Sequence, residues 1–328
     1  MLKTIDIEKV EVGMYVILSR SWFSHDFLAN QFIIKDKNDL KKLKQSGLKT
    51  ITIDTTKGRY DIDFTDSMGH GNETMTPPKE WKSDKLVSDE LRAAALNDSL
   101  PSKERAKAVY NFSLQIMKNL LNSPTAKNIS QGKIYINETV DTILSDDETA
   151  KQLLKITSHD FYTYTHSVNV GVLSVLLSKR LFKGSSTHNM HELGAGYFLH
   201  DMGKTKVDSN IINKPGRLNE EELNEMRTHP FQGYKILQAA NELTEECRII
   251  VMQHHEREDG NGYPRKLKGN EIHDYGRIGC IADVFDALTA ERSYKKSLTA
   301  FEALKIMKED MINHFHKEIF EQFVFLFK

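Results

Sequence analysis

The chain has 328 residues, and its 45 Lys plus Arg nearly cancel its 46 Asp plus Glu. That balance leaves no global field to recruit a nucleic-acid polymer or an anionic membrane, so an anionic small molecule would need a local basic cluster. At about 150 residues per domain the length allows roughly two domains. The two cysteines, Cys247 and Cys280, are isolated. This suits a reducing compartment and argues against a thiolate metal site. No run approaches the ~18 apolar residues a membrane span needs, and MLKTIDIEKVEVG has no apolar signal-peptide core, so the expected location is the cytoplasm.

From the start to about residue 60, the β-favouring runs MYVILS, QFIIKD and KTITID alternate with turn residues, with one helical patch, NDLKKLKQSG. That predicts a small α+β N-terminal module over 1–60. Residues 61–87 are polar, carry Gly and Pro-Pro, show no apolar period, and are read as a linker. From Ser88 onward apolar residues recur three and four apart, as in VYNFSLQIMKNLL, VNVGVLSVLLSKRLF and FEALKIMKEDMI. This predicts connecting helices over 88–150 and an all-α domain over 151–328. Asn219 with Glu222 resembles a capping box, opening a helix expected to carry His229 and end near Pro230.

The chemistry-bearing residues fall on separate segments of this helical half: TYTHSVNV (His166), FLHDMGK (His200, Asp201), RTHP (His229), QHHE (His254, His255) and IADVFDAL (Asp283). Taken singly, each histidine is more often a satisfied core or surface residue, and Asp283 with Asp286 could be a solvated helix face. As a set they differ, because neighbouring helices can aim such groups into one bundle interior, a recurrent way of building dimetal sites. Adjacent pairs such as His200-Asp201 diverge by about 100° on a helix and so reach two sides of a cluster. A carboxylate can bridge two ions and an imidazole cannot. Five imidazoles and two carboxylates without thiolate suit iron, manganese, nickel or zinc.

In order, His166, HDMGK at 200–204, THP at 228–230, HHE at 254–256, and DGNGYP at 259–264 followed by ADVFDALTAERSYKK resemble the HD-GYP family of HD-domain metal phosphohydrolases. The resemblance runs from about Lys151 to Ser297; residues 1 to about 120 look like the small module often found before such domains. It implies a multidomain protein, a small α+β module followed by an all-α HD-type helical bundle. The implied activity is cyclic di-GMP hydrolysis to linear pGpG, and slowly on to GMP. His166, His200, Asp201 and Asp283 would hold one metal; Asp201, His229, His254 and His255 would hold the second, with Asp201 bridging. Some members place a third-metal glutamate four residues before the first histidine; here Tyr162 stands there, and Asp160 is out of register. Two divalent ions are therefore expected, with iron or manganese ahead of nickel or zinc.

Two bridged cations lower the pKa of a shared water and neutralise the phosphoryl oxygens during in-line attack. The resemblance places Asp201 and Lys204 in the catalytic centre and Lys204 at the phosphate. Gly260 and Gly262 would allow a tight turn that delivers Tyr263 near a guanine face or phosphate, stiffened by Pro264. Lys204, Gly262, Tyr263, Pro264, Arg292 and Lys295 are thus the substrate-binding set. Unsupported by the rest of the motif, Lys204 would be a surface lysine, the loop an ordinary Asp-Gly turn, and Arg292 with Lys295 a helix-end pair. The alternatives are the same chemistry on 3′,3′-cyclic GMP-AMP, a non-catalytic cyclic-dinucleotide sensor, and a generic HD nucleotide phosphohydrolase; the last leaves HHE and GYP unexplained. The N-terminal module would gate access, mediate a homodimer or dock a protein partner.

Overall fold

A computed structural model of the chain describes residues 2–17, 31–34, 40–41, 43–44, 50–54, 85–157, 163–214, 216–290 and 297–328. The chain divides into two compact units, Met1–Lys79 and Glu80–Lys328.

The first unit carries four strands, β1 (Leu2–Asp6), β2 (Tyr15–Ile17), β3 (Gln31–Ile33) and β4 (Thr50–Asp54). They form an antiparallel sheet in the order β1-β4-β2-β3. In TITID the two isoleucines alternate with threonines, and the period of two puts Ile51 and Ile53 on the buried face. They pack with Ile7, Val10, Met14, Val16, Ile34 and Leu43. Residues 40–41 and 43–44, within the expected helical patch, are helical. Strand β1 lies outside the β-favouring runs picked from sequence; its LKTID mixes charged and apolar residues, and pairing with β4, Ile5 opposite Ile51, holds it in the sheet. Most of the expected linker lies outside the described residues, but its end does not: Leu86 and Val87 are buried in the core of the second unit.

The second unit is helical: α1 (Asp89–Leu96), α2 (Ser102–Asn122), α3 (Ala126–Ser145), α4 (Asp147–Ile156), α5 (Thr163–Leu181), α6 (Met190–Leu199), α7 (Ser209–Ile212), α8 (Glu220–Met226), α9 (His229–Ala239), α10 (Glu245–Gln253), α11 (Asp274–Thr289), α12 (Ala300–Glu309) and α13 (Lys317–Val324). Side-chain caps fix many of the starts. Ser88 accepts from Leu91 N, Thr125 from Asn128 N, Asp146 from Thr149 N and Thr244 from Cys247 N.

Helix α5 is buried at every position from Thr165 to Ser178. A helix apolar nearly all round belongs at the centre of a bundle, and each fully buried Val or Leu contributes about 1.5–3 kcal/mol. Helices α2, α6 and α11 pack on it, so His166 near its start enters the bundle interior.

One boundary differs from the sequence expectation. The capping box forms, with Glu222 N bonded to Asn219 and Asn219 N to Glu222. The helix it opens ends at Met226, and His229 does not ride on it: His229 starts α9, with Pro230 in the first turn. Proline lacks an N–H, which a first turn leaves unbonded anyway, and its fixed φ suits helix initiation.

Candidate metal centre

The seven sequence-selected ligands converge, six of them at helix ends. His166 lies in the first turn of α5. His200 caps the end of α6, and Asp201 leads into a 3-10 turn, Met202–Lys206. His254 caps the end of α10, and His255 follows it. Asp283 projects from α11. The adjacent pairs thus reach two directions at chain exits rather than around a continuous helix.

The donor atoms form two neighbouring groups, Asp201, His229, His254 and His255 in one and His166, His200 and Asp283 in the other, each with its ligand atoms within 4.8 Å of one another. Asp201 stands between them. Its Oδ2 lies 3.4 Å from both His166 Nε2 and His200 Nε2, and its Oδ1 lies 3.2 Å from His229 Nε2 and 3.9 Å from His254 Nε2. Asp283 divides similarly, Oδ1 at 3.0 Å from His166 Nε2 and Oδ2 at 3.4 Å from His255 Nδ1.

Outer hydrogen bonds set the tautomers. His200 Nδ1 donates to Tyr197 O, His229 Nδ1 to Met226 O and His254 Nδ1 to Val251 O. Each ring therefore turns the lone pair of Nε2 inward, the arrangement typical of metal-ligating histidines. His229 Nε2 and His254 Nε2 face each other at 3.1 Å, and two lone pairs at that separation call for a cation between them. His200 Nε2 and Asp201 Oδ1 are buried with no hydrogen-bond partner among the described residues. A buried polar atom left unpaired costs about 1–3 kcal/mol. Divalent cations fit this donor set.

The protonation states of three of the rings agree. Burial pushes His229 down to about 3 and His255 to about 4, and holds His254 well below the usual imidazole range. These rings are neutral, as ligation requires. Burial pushes the Asp201 carboxyl up, but Lys204 and His200 override it and hold it well below the usual range. Asp283 behaves likewise through His255 and His166. Burial lowers His166, yet its hydrogen bonds to Asp201, Asp283 and Asp286 outweigh that and raise it.

Two of the expected substrate residues, Lys204 and Tyr263, touch this cluster. Lys204 Nζ donates to Asp201 Oδ2 at 2.5 Å. The Tyr263 ring stacks on His255, centroids 4.5 Å apart and 27° between planes. Gly260 adopts φ +78°, the Tyr263–Pro264 bond is cis, and Pro264 is exposed. Gly262 is required by close approach, since a Cβ there would lie 2.5 Å from Arg257 N and 2.6 Å from His255 O. Arg292, Lys295, Tyr162 and Asp160 lie outside the described residues.

Several residues of the site were not singled out from sequence. Asp286, weighed above as a solvated helix face, is buried and bonds His166 Nδ1 at 2.7 Å through its Oδ2. The signal was available: in IADVFDAL the two acids share one helix face at a spacing of three, flanked by apolar residues. Glu256 is buried and accepts from Arg265 N at 2.7 Å and Leu267 N at 2.9 Å, latching the loop that carries Tyr263. Gly203 admits the turn after Asp201, for a Cβ there would sit 1.9 Å from His229 O. Arg227 is exposed with its guanidinium 5.8 Å from the Tyr263 ring centroid.

Comparison with known proteins gives two family matches: an HD domain over residues 150–319 and a domain of unknown function over residues 2–128. A cyclic di-GMP phosphodiesterase from Pseudomonas aeruginosa is 31% identical over 330 residues, 99% of this chain and 76% of that protein. The cyclic di-GMP phosphodiesterase response regulator RpfG from Xanthomonas campestris is 45% identical over 32% of this chain and 28% of its own length. A 3′3′-cGAMP-specific phosphodiesterase from Vibrio cholerae is 40% identical over 38% of this chain and 24% of its own. Among solved structures, an HDG"Y"P protein from Bdellovibrio bacteriovorus superposes with TM-score 0.61 at 17% identity, over 100% of this chain and 99% of that one, which shows a shared fold.

Proposed function

The chain belongs to the HD-GYP family of HD-domain proteins, and from that premise we propose that it is a metal-dependent phosphodiesterase that opens cyclic di-GMP to linear pGpG. In this reading His166, His200, Asp201 and Asp283 hold one divalent ion, and Asp201, His229, His254 and His255 hold the other. The observation that carries it is the division of the Asp201 carboxylate, one oxygen towards each donor group.

A phosphodiester resists hydrolysis because its negative oxygens repel the nucleophile and water attacks poorly. When bound, two cations supply a water of lowered pKa and neutralise phosphoryl charge. The protein does the rest. Asp201 and Asp283 stay ionised in a buried site, and His229, His254 and His255 stay neutral. Lys204, now paired with Asp201, has the reach to place its ammonium on a phosphate oxygen. Tyr263, held against His255, presents a ring edge and hydroxyl to the base or phosphate, with Gly262 and Pro264 shaping the turn beneath it. Arg292 and Lys295 would complete the basic cluster. The donor set, nitrogen and oxygen without sulfur, suits iron or manganese.

The preference for two guanines rests on the relative matched over nearly the whole chain. No helix among the described residues is long and apolar enough to cross a membrane, and we place the reaction in the cytoplasm. The module at 1–60 takes the regulatory part, as a dimerising or partner-docking element. The test is to reconstitute the full chain with iron and with manganese and follow both cyclic di-GMP and 3′,3′-cyclic GMP-AMP by chromatography. Faster opening of the first is expected. Faster opening of the mixed ring would reassign the substrate, and binding of either without cleavage would make the protein a sensor.

A further inference from the structure

Three hydrogen bonds lead outward from His166. Asp286 Oδ2 accepts from His166 Nδ1 at 2.7 Å, Asn169 Nδ2 donates to Asp286 Oδ1 at 2.7 Å, and Tyr110 OH donates to Asn169 Oδ1 at 2.7 Å. Asp286 and Asn169 are both 1% exposed. The series starts on α2, in the region matched by the domain of unknown function and outside the HD-domain match, and ends on a candidate ligand.

We infer that Tyr110, Asn169 and Asp286 form a positioning relay that fixes His166 with its proton on Nδ1 and its Nε2 lone pair towards the metal, so that α2 helps to build the metal centre. The polarity of the relay is forced. A carboxylate only accepts, so Asn169 must turn its amide N–H₂ towards Asp286 and its carbonyl towards Tyr110, where the phenol donates. The same carboxylate then takes the His166 Nδ1 proton. Were Asp286 an asparagine, its oxygen would be claimed by the Asn169 amide and its own N–H₂ would face His166 Nδ1. The ring would answer by moving its proton to Nε2, where a cation should sit. Outer groups of this kind are worth about 10–100-fold in metal affinity.

The inference rests on His166 being a ligand, and the test separates the two. Full-length wild type, Tyr110→Phe and Asp286→Asn are loaded with manganese, dialysed against graded chelator and scored for ions per chain by elemental analysis, with Tm recorded on each sample. Asp286→Asn is expected to lose one ion at about 10–100-fold lower chelator than wild type, while the ion assigned to His229, His254 and His255 stays, and added manganese restores the lost one. Tyr110→Phe, which removes only a hydroxyl, is expected to shift the same ion several-fold in the same direction. Both variants holding both ions as tightly as wild type, even at lower Tm, would reduce the relay to helix packing. A shift in Asp286→Asn without one in Tyr110→Phe would remove α2 from the account. A wild type that takes up no ion would remove the ligand role of His166 and the relay with it.

Discussion

Replacing Glu256 by Gln tests whether the loop that presents Tyr263 is held in place before substrate arrives. The Glu256 carboxylate spans the loop to accept from Arg265 N and Leu267 N at 2.7 and 2.9 Å. Hydrogen bonds to a charged group contribute about 1.5–3 kcal/mol each, and a buried donor left unpaired costs about 1–3 kcal/mol. Glutamine keeps one accepting oxygen and opposes the other backbone N–H with an N–H of its own. Burial pushes the Glu256 carboxyl up, against the pull of those backbone donors, so neutralising the group returns part of the loss. The net expectation is about 1–3 kcal/mol, and at about 2–4 °C per kcal/mol for a unit of this size Tm should fall by roughly 5 °C. Because the ring that stacks on His255 rides on this loop, KM for the cyclic dinucleotide should rise about tenfold, equivalent to 1.4 kcal/mol. Metal content should not change, since His254 and His255 precede the latch. Calorimetry and steady-state kinetics on one preparation decide it. A variant with wild-type Tm and wild-type KM would refute the argument.

Three further perturbations have defined outcomes. Gly203→Ala places a Cβ 1.9 Å from His229 O; backbone cannot yield as a side-chain tip can, so bound metal measured by elemental analysis should drop together with turnover, and a fully loaded, active variant would contradict the packing. Arg227→Ala removes the exposed guanidinium above Tyr263, so KM should rise about fivefold at nearly constant kcat; an unchanged KM would take Arg227 out of the binding surface. Asp146 caps α4, accepting from Thr149 N and pairing with Arg105 at 2.9 Å, and its bonds to Thr149 hold its carboxyl below the usual 3.8. A depressed folded-state pKa stabilises above the unfolded value and is lost as pH falls through the folded one. Asp146→Ala should therefore cost about 1 kcal/mol at neutral pH, with the Tm gap to wild type narrowing below pH 3.8; a constant gap would mean the charge contributes nothing.

Much of the candidate site is legible in the sequence because its candidate ligands sit in short segments whose residue types are chemically rare together: HDMGK, HHE, and a histidine and an aspartate on otherwise apolar helices. The Asn219 and Glu222 capping box was equally legible, since both partners lie within one turn. What sequence did not show depends on partners far apart in the chain. Asp286 meets His166 across 120 residues, and the local signal, an apolar-flanked acid on the face of Asp283, does not name that partner. Glu256 was visible as part of HHE, but its latch needs a loop that returns nine and eleven residues later. Pro230 is ambiguous in sequence because proline both stops a helix and suits the first turn of the next; here the chain turns at Arg227 and Thr228 before it. Strand β1 is not legible in its own composition, since it is held in the sheet by pairing with β4.

The measurement that bears most directly on the centre is the number of ions per chain in full-length wild type and in Asp201→Ala, after reconstitution with manganese or iron, alongside conversion of cyclic di-GMP. Asp201 stands between both donor groups. Two ions with linear dinucleotide formed in wild type, and both ions and turnover lost together in the variant, is the expected result. A variant that keeps two ions, or a wild type that turns over without any, would contradict a bridged dimetal centre.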